Sequence, residues 1–166
     1  VTKPNGILPQ EGATLELFKA GKSVGKQVTG KEGRYRFDET EPGDYLVKLD
    51  IPGSPALLLD GVKLEGGAAT LNLSADVMAW PSPTQGAAQV RFAVLAKEPG
   101  QLLIKLYNEA GQGLGQVEAA VARVGYAKLA WDCSQAQPGL VLWQATLSGT
   151  AGKVVKYPIR KLQISR

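Results

Sequence analysis

Short stretches in which apolar and polar residues alternate recur along the whole chain, separated by turns rich in glycine and proline. Alternation with a period of two indicates β-strands that bury one face. In the clearest stretch Tyr45, Val47 and Leu49 share one face, and Leu15 and Leu17 do the same earlier in the chain. Short strands at intervals of about 8–12 residues are typical of a β-sandwich.

The second half of the chain continues the pattern. Residues 117–124 are rich in alanine and valine, a composition that also suits a helical turn. Glycines flank this segment closely, so a strand is predicted there. Three alternating sets are predicted to face inward: Val90, Phe92 and Val94; Leu102, Ile104 and Leu106; and Ala127, Leu129 and Trp131.

The segment Ala79-Trp80-Pro81-Ser82-Pro83 interrupts the alternation near the middle of the chain. Two prolines remove two backbone donors and favour extended conformations before them, so neither a helix nor a central strand continues through it. We therefore predict an all-β fold of two tandem immunoglobulin-like or prealbumin-like β-sandwich domains, residues 1–76 and 77–166. The linker is expected at residues 74–78, with Trp80 as a wedge between the domains.

Four motifs of the first half follow one another in order: Asn5-Gly6, residues 12–17, Gly33-Arg34-Tyr35-Arg36-Phe37 and Pro42-Gly43-Asp44-Tyr45-Leu46-Val47. Together they resemble the carboxypeptidase-regulatory-like fold, which includes transthyretin-like and Cna-B-like domains. The resemblance implies a β-sandwich over residues 1–73 in which the last two motifs form a hairpin. Such domains usually begin one strand earlier, so the first strand is expected to be shortened here.

The motifs of the second half are Trp80-Pro81-Ser82-Pro83, residues 102–111, residues 125–132, Pro138-Gly139-Leu140-Val141 and Arg160-Lys161-Leu162. In this order they resemble the flagellar-hook-cap (FlgD-like) immunoglobulin domain and the C-terminal sorting tails of type IX secretion. The resemblance implies an immunoglobulin-like sandwich in a secreted bacterial protein. Three positions depart from the family pattern, which weakens the expectation of an active sorting signal more than that of the fold: Ser82, Asn108 and Val141.

Composition excludes several kinds of chemistry. The 166 residues include no histidine, which removes Ser-His-Asp and Cys-His nucleophiles and histidine metal ligands. The single cysteine, Cys133, allows neither an internal disulfide nor a cysteine-built zinc site, and we expect its thiol to have no structural role. Because the chain starts at Val1, it is expected to be a mature form or an excised piece. No apolar run reaches the roughly 20 residues of a transmembrane helix.

Charge gives a weak indication of partners. The net charge is +4 and the pI about 9.2, but the basic residues are scattered rather than clustered with stacking aromatics. Nucleic-acid binding is therefore not predicted. Gly21 and Gly25 are predicted to bracket a loop that carries Lys19, Lys22 and Lys26.

Two groups of residues are candidates for ligand binding. The carboxylates around one turn, Asp38, Glu39, Glu41 and Asp44, suit Ca²⁺, although Pro42-Gly43 already explains the turn. No cofactor is otherwise predicted. Aromatic faces pack against sugars, and the aromatic candidates for an interaction surface are Trp80, Tyr126, Trp143 and Tyr157.

These observations predict a non-enzymatic module of a secreted or cell-surface prokaryotic protein. It is expected to act in structure, adhesion or assembly, and to pair with other chains or with itself through sheet edges. The alternative is a carbohydrate-binding accessory module of a secreted enzyme, with Trp143 as its main contact to polysaccharide. Neither membrane insertion nor a catalytic residue is predicted.

Overall fold

The computed structural model describes residues 1, 10–64, 67–69, 76–84 and 86–165. Contacts divide the chain into two compact units, Val1–Ala75 and Asp76–Arg166. Every helix or strand in the described ranges is a β-strand, which confirms the predicted all-β class. Within those ranges, no helix has the length and apolar character needed to cross a membrane.

The described part of the first unit contains six strands: β1 (Thr14–Lys19), β2 (Lys22–Val28), β3 (Phe37–Thr40), β4 (Gly43–Asp50), β5 (Leu57–Leu64) and β6 (Gly67–Ala69). Four of them form an antiparallel sheet in the order β2-β1-β4-β5. Strand β3 pairs with β6 and not with β4, so the hairpin that the resemblance implied for these two motifs is wrong. The predicted inward-facing residues Leu15, Leu17, Tyr45, Val47 and Leu49 are all buried. The alternation predicted for β1 and β4 is therefore confirmed.

The turn between β1 and β2 differs from the prediction. Ala20 and Gly21 both have positive φ, 48° and 78°, and they alone connect the two strands. A two-residue turn of this kind matches the twist of the strands that it joins. Residues 22–28, part of which was predicted to be a loop, therefore form strand β2. Gly25 lies within that strand and does not end it.

One further prediction for the first unit is wrong, and two others lie wholly or partly outside the described residues. A strand was predicted over residues 34–37, but β3 begins only at Phe37. Tyr35 precedes the strand, and its ring meets that of Phe37 edge to face with 5.8 Å between centroids. The motif Asn5-Gly6 is outside the described residues. In the predicted linker, residues 74 and 75 are also outside, whereas Val77 and Met78 lie in a strand.

The second unit contains eight described strands: β7 (Val77–Trp80), β8 (Gln89–Ala96), β9 (Gly100–Asn108), β10 (Gly113–Val121), β11 (Gly125–Asp132), β12 (Gly139–Gly149), β13 (Val154–Lys156) and β14 (Arg160–Ile164). One sheet has the order β10-β9-β12-β13, with β14 also paired to β12, and the other has the order β11-β8-β7. Side chains from both sheets form one buried apolar cluster, so the unit is a β-sandwich.

The predicted inward faces of the second unit match this cluster. Two sets are fully buried: Val90, Phe92 and Val94 of β8, and Leu102, Ile104 and Leu106 of β9. On β11, Leu129 is buried, while Ala127 and Trp131 pack against the cluster at its margin. Residues 117–124 were predicted to be a strand because glycines flank them, and most of them lie in strand β10.

The proline segment ends β7 and then follows the last strand. Thr84 donates its backbone N–H to Gln163 O at 3.0 Å, and Gly86 donates to Ser165 O at 2.9 Å. The Thr84 hydroxyl also donates to Ser165 O at 2.7 Å and accepts from Ser165 N at 2.9 Å. This segment therefore occupies the outer edge of β14, an edge that otherwise presents unpaired backbone groups.

Candidate functional site

Trp143, the main candidate for sugar stacking, lies in the core of the second unit. Its side chain is 1% exposed, and its ring meets that of Phe92 edge to face with centroids 4.9 Å apart. It stands on the same face of β12 as Val141, Ala145 and Leu147, which are also buried. A buried ring presents no face to a sugar, so the prediction of Trp143 as a polysaccharide contact is wrong.

The other aromatic candidates do not form a surface platform either. Tyr157 is buried, and its hydroxyl donates to Leu95 O at 2.8 Å. Burial, with the nearby charge of Asp76, raises the pKa of the Tyr157 phenol. Tyr126 is half-buried, and burial raises its pKa to about 12. Trp80 is buried at the end of β7, and its predicted place between the domains stays a prediction.

Two of the four carboxylates proposed for Ca²⁺ are paired with basic side chains. Asp38 pairs with the Arg36 guanidinium, and Glu41 Oε2 accepts from Lys19 Nζ at 2.7 Å. In the described ranges, no group of three or more acidic, cysteine or histidine side chains has the arrangement that holds a metal ion.

A groove of about 590 Å³ lies beside β2 in the first unit. It is lined by Val24, Gly25, Lys26 and Gln27 on β2, by Phe37, Asp38 and Thr40 on β3, and by Leu17, Lys19, Glu41 and Tyr45. The lining combines the buried side chains of Leu17, Phe37 and Tyr45 with charged and polar ones, so the groove is mixed in character. Its volume lies in the range of about 300–1,000 Å³ usual for ligand sites.

Lys19 fixes one end of the groove. Its ammonium lies 5.7 Å from the centre of the Tyr45 ring and donates to Pro42 O at 3.1 Å as well as to Glu41. The hydrogen bond from Lys19 lowers the pKa of Glu41, and the same bond raises the pKa of Lys19. The Tyr45 hydroxyl donates to Glu41 O at 2.7 Å. These contacts hold the β3–β4 turn against β1.

Gly25 brings β2 and β3 close together. A Cβ at this position would lie 3.0 Å from Phe37 Cδ1, tighter than ordinary side-chain contacts. The absence of a side chain therefore lets the Phe37 ring pack directly against the backbone of β2. The ring and the strand form the two walls of the groove at this point.

Strand β2 is an edge of its sheet, because it pairs only with β1 in the described ranges. Just beyond its end, Thr29 donates its N–H to Ala13 O at 2.8 Å, so its backbone faces β1. Since backbone groups alternate along an antiparallel strand, those of Val28 and Lys26 face away from β1. The side chains of Val28 and Val24 are 59% and 55% exposed.

The sequence did not single out this edge, although it carried a signal for it. The signal was Gly21, because glycine readily takes the positive φ that a two-residue hairpin turn requires. A hairpin there would have placed Lys22, Val24, Lys26 and Val28 on a strand instead of in a loop. The packing of Phe37 against Gly25 had no sequence signal, because it joins residues of separate elements.

Comparison with known proteins gives structural likeness only. No protein-family model matches the chain, and no curated protein matches it. Among solved structures, the chain is similar to dimeric latent PorU from Porphyromonas gingivalis (11% identity, TM-score 0.48, covering 93% of this chain and 16% of that one). It is also similar to a mutant of Salmonella alpha-2-macroglobulin (16% identity, TM-score 0.40, covering 97% and 13%) and to the human OSCAR ligand-binding domain (18% identity, TM-score 0.33, covering 94% and 85%). The chain thus spans less than a fifth of the length of the first two proteins.

Proposed function

We propose that this chain is a non-catalytic extracellular module that joins protein chains through an open sheet edge. The observation that carries the proposal is strand β2, whose outer backbone groups pair with no described strand and whose exposed Val24 lines a groove. An edge strand of this kind accepts an extended segment of another chain by adding it to the sheet. The lack of histidine and the resemblance of the second half to domains of secreted bacterial proteins also support this function.

One sheet edge of the second unit is closed to such pairing. In the second unit, the residues around Thr84 and Gly86 cover the edge of β14 with backbone hydrogen bonds. Proteins commonly cover or interrupt their sheet edges to avoid unwanted association. An edge left open beside a groove is therefore better suited to a partner than one already filled.

The carbohydrate-binding alternative loses its main support. It rested on Trp143, which lies in the core, and on Tyr157, which is also buried. No other described feature favours a sugar ligand over a peptide, so we retain one function.

The test is a selection of nine-residue peptides from a random phage library on the intact chain. Recovered peptides are then measured against Val28→Pro, which removes an N–H that faces away from β1 and therefore disturbs no bond to β1. The matched control is Val154→Pro on edge strand β13. Val154 is 56% exposed, and its N–H faces away from β12, because Tyr157 N donates to Ala145 O.

Peptides that bind wild type and Val154→Pro but not Val28→Pro are the expected result. Circular dichroism must show that both variants fold. Failure to recover any peptide, or binding that survives Val28→Pro, contradicts docking at this edge. Loss of binding in Val154→Pro alone assigns the docking edge to β13 instead.

A further inference from the structure

Some of the basic side chains around the groove form ion pairs, and others do not. Lys19 pairs with Glu41, and Arg36 pairs with Asp38. Lys22 and Lys26 on β2 form no ion pair with any residue in the described ranges. Lys26 stands opposite Glu16 of β1, whereas Lys22 stands opposite Lys19, so the edge keeps a net positive charge.

These lysines argue against a second copy of the chain as the partner. Two copies of β2 paired edge to edge would bring four ammonium groups into one short ladder. Like charges on neighbouring strands destabilise the pairing, and lysine on an edge strand is a common device against self-association. The charges oppose self-pairing and favour a partner of opposite sign.

Resting on the proposed function, we infer that β2 docks an extended acidic segment of another protein. Its aspartate or glutamate side chains lie near Lys22 and Lys26, and its apolar side chains enter the groove beside Gly25 and Gln27. Its backbone pairs with the outward N–H and C=O groups of Lys26 and Val28. Complementary charge of this kind sets partner choice and speeds association.

The groove supplies the second half of the recognition. Side chains of a docked strand alternate between the two faces of the sheet. Those on the inner face meet the apolar wall formed by Phe37 and Leu17, while those on the outer face meet solvent. The partner segment is thus expected to alternate apolar and acidic residues.

The experiment measures binding of three fluorescent seven-residue peptides by anisotropy, with the intact chain as titrant. One peptide alternates valine and glutamate, one valine and glutamine, and one valine and lysine. The chain is wild type, Lys22→Gln with Lys26→Gln, Val28→Pro, or Lys63→Gln. Lys63 is the matched control because it is an exposed lysine on β5, at the opposite edge of the same sheet.

The glutamate peptide is expected to bind tightest and the lysine peptide weakest. The double lysine variant should weaken the glutamate peptide by about two- to fivefold per lysine, as exposed ion pairs do. Added salt should reduce its affinity for wild type, and Lys63→Gln should leave it unchanged.

Two other outcomes are informative: one contradicts the acidic partner, and the other contradicts docking at β2. If all three peptides bind equally and Val28→Pro abolishes binding, the edge docks strands without charge selection and the acidic partner is wrong. If Val28→Pro binds the glutamate peptide as well as wild type does, docking at this edge is itself wrong, and with it the proposed function.

Discussion

Phe92 and Trp143 meet edge to face in the core of the second unit, with ring centroids 4.9 Å apart and ring planes inclined by 65°. They stand on β8 and β12, which belong to different sheets of the sandwich. Such aromatic pairs contribute about 0.5–1.5 kcal/mol beyond the area that they bury. The contact therefore joins the two sheets at the centre of the unit.

Two substitutions of Trp143 distinguish the contribution of its volume to stability from that of its polar atom, Nε1. Trp143→Ala should lower the free energy of unfolding by about 3–5 kcal/mol, because a large cavity remains. Trp143→Phe should cost less than half as much, since Trp143 Nε1 is buried with no hydrogen-bond partner in the described structure and its removal relieves that cost. Urea unfolding followed by circular dichroism measures both. A loss for Trp143→Phe as large as that for Trp143→Ala would contradict this ranking.

The Lys19–Glu41 pair gives the first unit a defined pH dependence. The folded pKa of Glu41 is lowered, so its contribution is present above the ordinary value of 4.5 and is lost as pH falls through the folded pKa. The folded pKa of Lys19 is raised, so its contribution is present below 10.5 and is lost as pH rises through the folded pKa. The pair thus stabilises the fold between these limits.

Glu41→Gln should remove this part of the pH profile, with a small loss of stability at neutral pH because the pair is largely exposed. Urea midpoints between pH 3 and 7 provide the measurement, and Asp44→Asn on the neighbouring strand is the control. A wild-type profile that Glu41→Gln leaves unaltered would contradict the role of the pair.

Cys133 has a packing role that its sequence position did not reveal. It is buried in the core cluster, and its Sγ lies 3.2 Å from Ala87 O as a donor. Cys133→Ser should destabilise the chain by about 1–2 kcal/mol, because a hydroxyl is more costly to bury among apolar side chains than a thiol. Thermal unfolding tests this against Ser148→Ala at an exposed position of β12. An unchanged melting temperature would restore the expectation of a thiol without structural role.

Thr84 carries the contact between the proline segment and the last strand. Thr84→Val keeps the shape of the side chain but leaves Ser165 without the acceptor and donor that the hydroxyl provides. The expected loss is about 1–3 kcal/mol. Ser82→Ala, which removes one exposed bond to Gln163 N, should cost less than about 1 kcal/mol. Hydrogen exchange at residues 163–165 should rise in Thr84→Val. A larger effect from Ser82→Ala would be inconsistent with this ranking.

The position of Trp143 was already contained in the alternation of its strand. Val141, Trp143, Ala145 and Leu147 share one face, and three apolar neighbours on that face indicate the core. As a single aromatic residue Trp143 suits either a core or a binding surface, but as one position of this strand it belongs to the buried face. Periodicity was the stronger signal because burial is decided for a whole face.

The sequence by itself determined the all-β class and most of the buried faces. Successive side chains of a strand point to opposite faces. Where one face meets solvent and the other the core, polar and apolar residues therefore alternate in the sequence. The same local signals placed the turns, as Pro42 directly before β4 shows.

Only the tertiary structure decided which edges are paired. Thr84 covers the edge of β14, Gly25 packs against Phe37, and β2 has no second neighbour among the described strands. Each of these relationships depends on residues that are far apart in the chain. Alternation states which face of a strand is apolar, but not which strand lies beside it. The candidate binding edge therefore became visible only when the strands were placed next to one another.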